Sequence, residues 1–191
     1  MSNNEIRFKF NEKKTTQAVA LFLEKNGGKM NYMKLIKLLY LADRGALTHW
    51  ERSITGDAYV SMPRGPVLST VLDIINNENY PNIRPYWFKY ISTPKDHEIK
   101  LEEMPELDAL SKREIELIDE LYEEFKDFNQ WEMVDLCHEI LPEWEEVKDT
   151  SKPIEIETIL RTLEKTDDEI EMIDEEVSNL NHIEKILSIN D

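Results

Sequence analysis

Residues 31–50 constrain the fold more than any other stretch of the chain. Met33, Leu35, Ile36, Leu38, Leu39, Tyr40, Leu41 and Ala42 leave this run almost no polar side. A helix that is apolar nearly all round has to be enclosed by other elements. The segment therefore predicts a central buried helix with the rest of the chain packed about it. What polarity it has is cationic: Lys34, Lys37 and Arg44 fall within roughly a quarter-turn of one another at 3.6 residues per turn. Three readings of that stripe stay open. It is a solvated edge, a contact for acidic residues of the same chain, or a contact for an acidic partner.

The flanking segments supply more helices. Ala18, Leu21 and Phe22 predict a helix over about 12–26, stopped by Gly27-Gly28, since glycine readily takes the left-handed cap. Pro66 is placed to open a helix to about Asn76 that buries Val67, Leu68, Val71, Leu72 and Ile75. Ser111-Lys-Arg-Glu114 is a capping box ahead of Ile115, Ile118, Leu121, Tyr122 and Phe125. Asn129-Gln-Trp-Glu132 repeats that logic before a shorter helix through Trp131, Val134 and Cys137 or His138. Ser151-Lys-Pro153 opens another, to about Leu163. A third box, Thr166-Asp-Asp-Glu169, precedes Ile170, Ile173, Val177, Leu180 and Leu187. That last amphipathic helix docks on its own domain, on a partner or on a second copy.

Two regions look different. Asp57–Met62 is a short β-prone run. From Tyr86 to Glu102 the pattern alternates loosely about Thr93-Pro-Lys-Asp, which predicts a hairpin. Two strands alone are marginal in water, so Asp57–Met62 is a candidate third. The expected fold is mainly α: a compact helical domain with a small antiparallel β-hairpin or three-stranded sheet, plus a C-terminal amphipathic helix. The division expected is a domain over 1–150 and an acidic helical extension over 151–191.

Charge separates the halves of the 191 residues. Residues 1–100 carry 15 Lys/Arg and 10 Asp/Glu, whereas 101–191 carry 8 and 30. The second half therefore has a net charge of −22. Like charges keep it off nucleic acid and anionic membranes, and it suits either a basic partner or plain solubility. No run reaches the roughly 18 apolar residues of a spanning helix, and Met1–Phe8 lacks a signal-peptide core. With the single Cys137, this points to a reducing cytoplasm.

Chemistry is sparse. No P-loop, dinucleotide fingerprint or Cys-x-x-Cys occurs. His49, His97, His138 and His182 are scattered without a partner at ligand spacing, so no metal or cofactor is expected. Cys137 and His138 are adjacent on a helix and point about 100° apart, which is no nucleophile–base geometry. Cys137 reads as a buried structural thiol.

Three motifs occur in order. Met33-Lys-Leu-Ile-Lys-Leu-Leu-Tyr-Leu-Ala-Asp43 comes first and Gly56-Asp-Ala-Tyr-Val-Ser-Met-Pro-Arg-Gly-Pro-Val67 second. Leu110–Glu114 through Trp131–His138 to Pro142-Glu-Trp144 closes the series. This series, over about residues 15–148, resembles the Panacea (SocA-like) antitoxin domains. One departure stands out: Glu143 separates Pro142 from Trp144, which the family pattern sets side by side.

The resemblance implies an antitoxin that neutralises a cognate toxin, encoded by a neighbouring gene, by direct protein contact and without catalysis. It also implies, for one branch, delivery of the toxin to an AAA+ protease. Arg64 on its Pro-Arg-Gly-Pro turn, Trp87, Trp144, Lys34 and Lys37 are the candidate partner contacts, each with a structural alternative in turn or core. Two other readings compete. One is a hydrolase or transferase whose cleft gathers Asp57, His138 or similar groups. The other is a phage or prophage accessory protein, or protease adaptor, that binds a host factor. Nothing in the sequence fixes the oligomeric state.

Overall fold

The computed structural model describes residues 5–76 and 86–188. Helix α1 (Glu12–Lys25) starts where the Asn11 side chain accepts the Lys14 N–H. It stops at Gly27 and Gly28, both with positive φ, and Gly28 N–H returns to Leu23 O at 2.7 Å. Strand β1 (Lys29–Asn31) follows, and then α2 (Tyr32–Trp50). Helix α2 is the expected central helix: Leu35, Leu38, Leu39, Tyr40, Ala42, Ala46 and Leu47 are essentially fully buried. Helices α3 (Ser69–Ile75), α5 (Lys112–Phe125), α6 (Gln130–Ile140) and α7 (Ile156–Thr162) pack on it together with α1. Each leucine enclosed there contributes on the order of 2 kcal/mol by leaving water.

Strands form two small antiparallel sheets, and the fold is mainly α as expected. Strand β1 pairs with β4 (Glu98–Lys100), setting Met30 opposite Ile99 with both side chains buried. The other sheet has the order β3-β2-β5, from β2 (Tyr59–Met62), β3 (Gly65–Leu68) and β5 (Lys152–Ile154).

Three local expectations are corrected. Pro66 lies in β3, opposite Ser61, and α3 begins only at Ser69. Gly65, with φ of 92°, turns the chain back into a hairpin. Strand β3 is an outer strand, where the missing proline N–H breaks no ladder. Tyr86–Glu102 is not a hairpin of two strands. Its first arm is the helical turn α4 (Tyr86–Tyr90), with bridges only at Ile91–Leu101 and Lys95–Glu98. Trp87 and Tyr90, three apart, both turn inward, and α4 packs on α1. Lys152–Ile154 is strand rather than helix. Pro153 again occupies an outer strand, opposite Val60 of β2.

The three predicted caps are present. Ser111 and Glu114 exchange hydrogen bonds, as do Asn129 and Glu132, and Thr166 and Glu169. The cap of α3 is supplied from a distance. Leu68 offers no side-chain acceptor, so Asp57 accepts the Thr70 and Val71 N–H groups at 2.9 Å each and that of Ala58 at 2.7 Å. Helix α8 (Asp167–Ser188) buries Ile170, Ile173 and Val177 against the body, the docked arrangement for its first half. Leu180 is already partly exposed, and the side chain of Leu187 lies outside the described residues.

Candidate protein-binding face

The β2–β3 hairpin tip carries the face. Met62 pairs with Gly65, leaving Pro63 and Arg64 as the two exposed residues of the turn. Its base is fixed from below by Lys37. That side chain is fully buried, and its ammonium donates to Pro66 O at 2.6 Å. A Cβ on residue 65 would sit 3.1 Å from the ammonium, so glycine is needed there for space as well as for φ. Burial brings the Lys37 pKa down to about 8.

The chain after α6 fixes the hairpin from the side. Trp144 Nε1 donates to Met62 O at 3.0 Å, and Glu145 N–H donates to Ser61 Oγ at 3.2 Å. His138 stacks on Trp144, with ring centroids 3.9 Å apart and planes 11° off parallel. Among the described residues His138 Nε2 is buried with no hydrogen-bond partner. Desolvation lowers the His138 pKa, and the nearby Lys37 charge lowers it further. Arg64 reaches across to Trp131, its guanidinium carbon 5.3 Å from the ring centroid. Trp131 is 52% exposed, the second residue of α6. Arg64, Trp131, His138 and Trp144 thus form a cationic–aromatic surface on a fixed base.

Beneath it lies a buried polar anchor. Glu143 accepts from Tyr40 Oη at 3.0 Å, Arg44 Nε at 2.8 Å and Thr162 Oγ1 at 3.2 Å. The residue that interrupts the expected Pro-Trp pair therefore ties α2 to α7. Asp43 is a second anchor. It accepts the Ile54 and Thr55 N–H groups, the Tyr59 hydroxyl and, closest of all, the Thr55 hydroxyl.

The expected contact residues divide. Arg64 and Trp144 come together on the face. Trp87 is fully buried against α1, with its backbone N–H donating to Glu12 Oε1 at 3.0 Å, and presents no surface. Lys34 and Lys37 point inward. Lys34 donates to Lys126 O at the end of α5, where a cation meets the negative end of the helix. Of the stripe, Arg44 takes the intramolecular reading, bound to Glu143 of the acidic half. The sequence puts Trp131 on one helical spacing with Val134 and Cys137 or His138, and the structure leaves it exposed. Its cap is legible in sequence, but its exposure follows from where α6 crosses α2.

Asp57 and His138 do not share a cleft. Asp57 lines a cleft of about 390 Å³ with Tyr59, Ile154, Glu155 and the extended segment 5–10, and His138 is not part of it. Its carboxylate is engaged by the amides of α3. Burial nonetheless raises its pKa to about 6. Among the described residues no group of three or more His, Cys, Asp or Glu is placed to hold a metal ion. None of the described helices is long and apolar enough to cross a membrane.

The helical domain is built round one enclosed helix and presents an exposed Arg–Trp pair beside a braced hairpin. The sequence matches the family model described as antitoxin SocA-like, Panacea domain, over residues 35–145. That is more than half of the chain, and the protein belongs to this family. The match runs from α2 to the turn carrying Trp144, so it spans the hairpin and the whole face. No curated protein and no solved structure matches the chain. Family membership suggests a role related to toxin–antitoxin systems, with a protein such as a toxin as partner.

Proposed function

We propose that the protein is the antitoxin of a toxin–antitoxin pair, and that it neutralises its toxin by direct contact through the Arg64–Trp131–Trp144 face. Membership of the SocA-like antitoxin family carries the first half of this reading. The half-exposed Trp131 beneath Arg64 carries the second. Tryptophan and arginine are enriched in binding hot spots, tryptophan because its large rigid ring buries much area with two torsions to freeze and arginine because its planar guanidinium presents several directed donors. A tryptophan left in water on a braced surface has a hydrophobic gain still to be realised on association. No catalytic group is required: occlusion of the toxin surface is sufficient.

The test is co-expression with the product of the neighbouring gene. The wild-type chain is expected to restore growth and to co-purify with that product. Trp131→Ala is expected to weaken the complex at least tenfold, with the melting temperature unchanged because the ring lies largely in water. Neither rescue nor co-purification with the wild-type chain would remove the toxin-pairing reading. Rescue undiminished by Trp131→Ala and by Arg64→Ala would move the contact to another face.

A further inference from the structure

Arg64 is a cation left without an anion in a chain that has 40 Asp/Glu against 23 Lys/Arg. Arg7, Arg44, Arg52 and Arg161 each hold a carboxylate, those of Glu5, Glu143, Glu176 and Asp167. Among the described residues Arg64 and Arg113 hold none, and of these two only Arg64 is set against a ring on a fixed turn. The Trp131 ring attracts the guanidinium charge from 5.3 Å but offers no oxygen to its five N–H donors. The turn that carries Arg64 is tied at both strands, with Met62 O held by Trp144 and Pro66 O by Lys37, so little of it is left to order on binding. The Lys37 ammonium adds a second positive charge under the turn, and it too meets a carbonyl rather than a carboxylate.

These features select the partner's chemistry. A guanidinium meets a carboxylate edge to edge, through two parallel N–H···O bonds, and a point charge cannot replace that fork. Acidic residues nearby set the limit on what surrounds the carboxylate. Glu132 and Asp135 follow Trp131 on α6, and Asp135 lies about 40° round the helix from it at 3.6 residues per turn. Glu145 and Glu146 follow Trp144, and Glu145 is already bound to Lys152. These charges repel a run of acidic residues, a nucleic-acid backbone and a second copy of this acidic chain. They do not repel one carboxylate whose own neighbours are neutral or basic.

We infer that Arg64, set against Trp131, binds a single Asp or Glu side chain of the protein partner, one that stands among neutral or basic residues. The inference rests on the proposed reading of this face and adds the chemistry that the partner brings to it.

The probes are three peptides titrated into the full chain: acetyl-Lys-Leu-Glu-Leu-Lys-amide and its Gln and phosphoserine counterparts. Binding is read from the NMR shifts of the Arg64 Nε–H and Trp131 indole N–H groups, assigned with Arg64→Lys and Trp131→Phe. The Glu peptide is expected to move both signals and to bind several-fold more tightly than the Gln peptide, a margin set by the exposure of Arg64. Arg64→Lys keeps the charge without the fork, stands on an exposed turn, and is expected to remove that preference. Equal affinity for the Glu and Gln peptides, stationary signals, or a preference that survives Arg64→Lys would overturn the inference. A tighter phosphoserine complex would overturn it by making phosphate the natural occupant, and so would a wild-type dimer that Arg64→Lys dissolves. The product of the neighbouring gene separates the two readings. If it binds Arg64→Lys as it binds wild type but loses Trp131→Ala, the carboxylate contact falls and the antitoxin reading stands. If it binds no form of the chain while the Glu peptide moves Arg64, the antitoxin reading falls and the carboxylate site stands.

Discussion

Burial leaves the Lys37 ammonium beside one backbone carbonyl, and its pKa of about 8 turns that enclosure into a dependence on pH. In the unfolded chain the same amine titrates near its ordinary value of about 10.4. Between the two values the unfolded state holds more protons, so stability rises with pH. The rise from pH 8 to 9 is expected to be on the order of 1 kcal/mol, close to the limit of about 1.4 per pH unit for one group. From about pH 8.5 upward Cys137 partly offsets it. Burial pushes that thiol up to about 11, so the native state keeps a proton that the unfolded chain releases. Urea unfolding at pH 7, 8 and 9 should show the midpoint climbing over the last step, and Lys37→Met should flatten it. At this scale the sequence showed which residues are unusual better than what they do. The spacing of Lys34, Lys37 and Arg44 marks a cationic stripe. The carbonyls that receive the two lysines arrive from 92 and 29 residues away. Glu143 looks like a break in a motif and is the acceptor on which Tyr40, Arg44 and Thr162 converge.

Elements were legible where their signals are local. Helices α1, α2, α5, α6 and α8 follow from apolar spacing and from caps that lie within four residues of the turns they satisfy. Helix α3 was misplaced by three residues because its cap, Asp57, sits on the far side of the hairpin. Strand β5 was read as helix because three residues with one proline hold no periodicity, and only pairing with β2 decides them. The candidate face was half legible. Arg64 and Trp144 were singled out by residue type, while Trp131 depends on the crossing of two helices. The proposed division at residue 150 can be tested at this scale. A chain ending at Thr150 lacks β5, the buried Ile154, Ile156, Ile159 and Leu160, and the seam of α8. It is expected to be insoluble. A chain ending at Ser178 keeps all of these and is expected to melt within a few degrees of the full protein.

Taken whole, the molecule carries a net charge of −17, slightly positive along its first hundred residues and strongly negative along the rest. A field of that size draws an oppositely charged protein at long range and loses reach as salt shortens the Debye length to about 8 Å at physiological strength. Association with a basic partner is expected to slow at least tenfold between 20 and 300 mM salt in stopped-flow measurements. A rate indifferent to salt would leave the acidic half with solubility as its role.

The middle strand of the main sheet meets its second neighbour only across some ninety residues of chain, at Tyr59–Ile154. On the ribosome the hairpin therefore emerges with one edge open, and that edge stays open until some ninety further residues have been made. An interrupted translation product carries a bare sheet edge and unfilled apolar seams, and quality-control proteases would clear it. Only complete copies would accumulate.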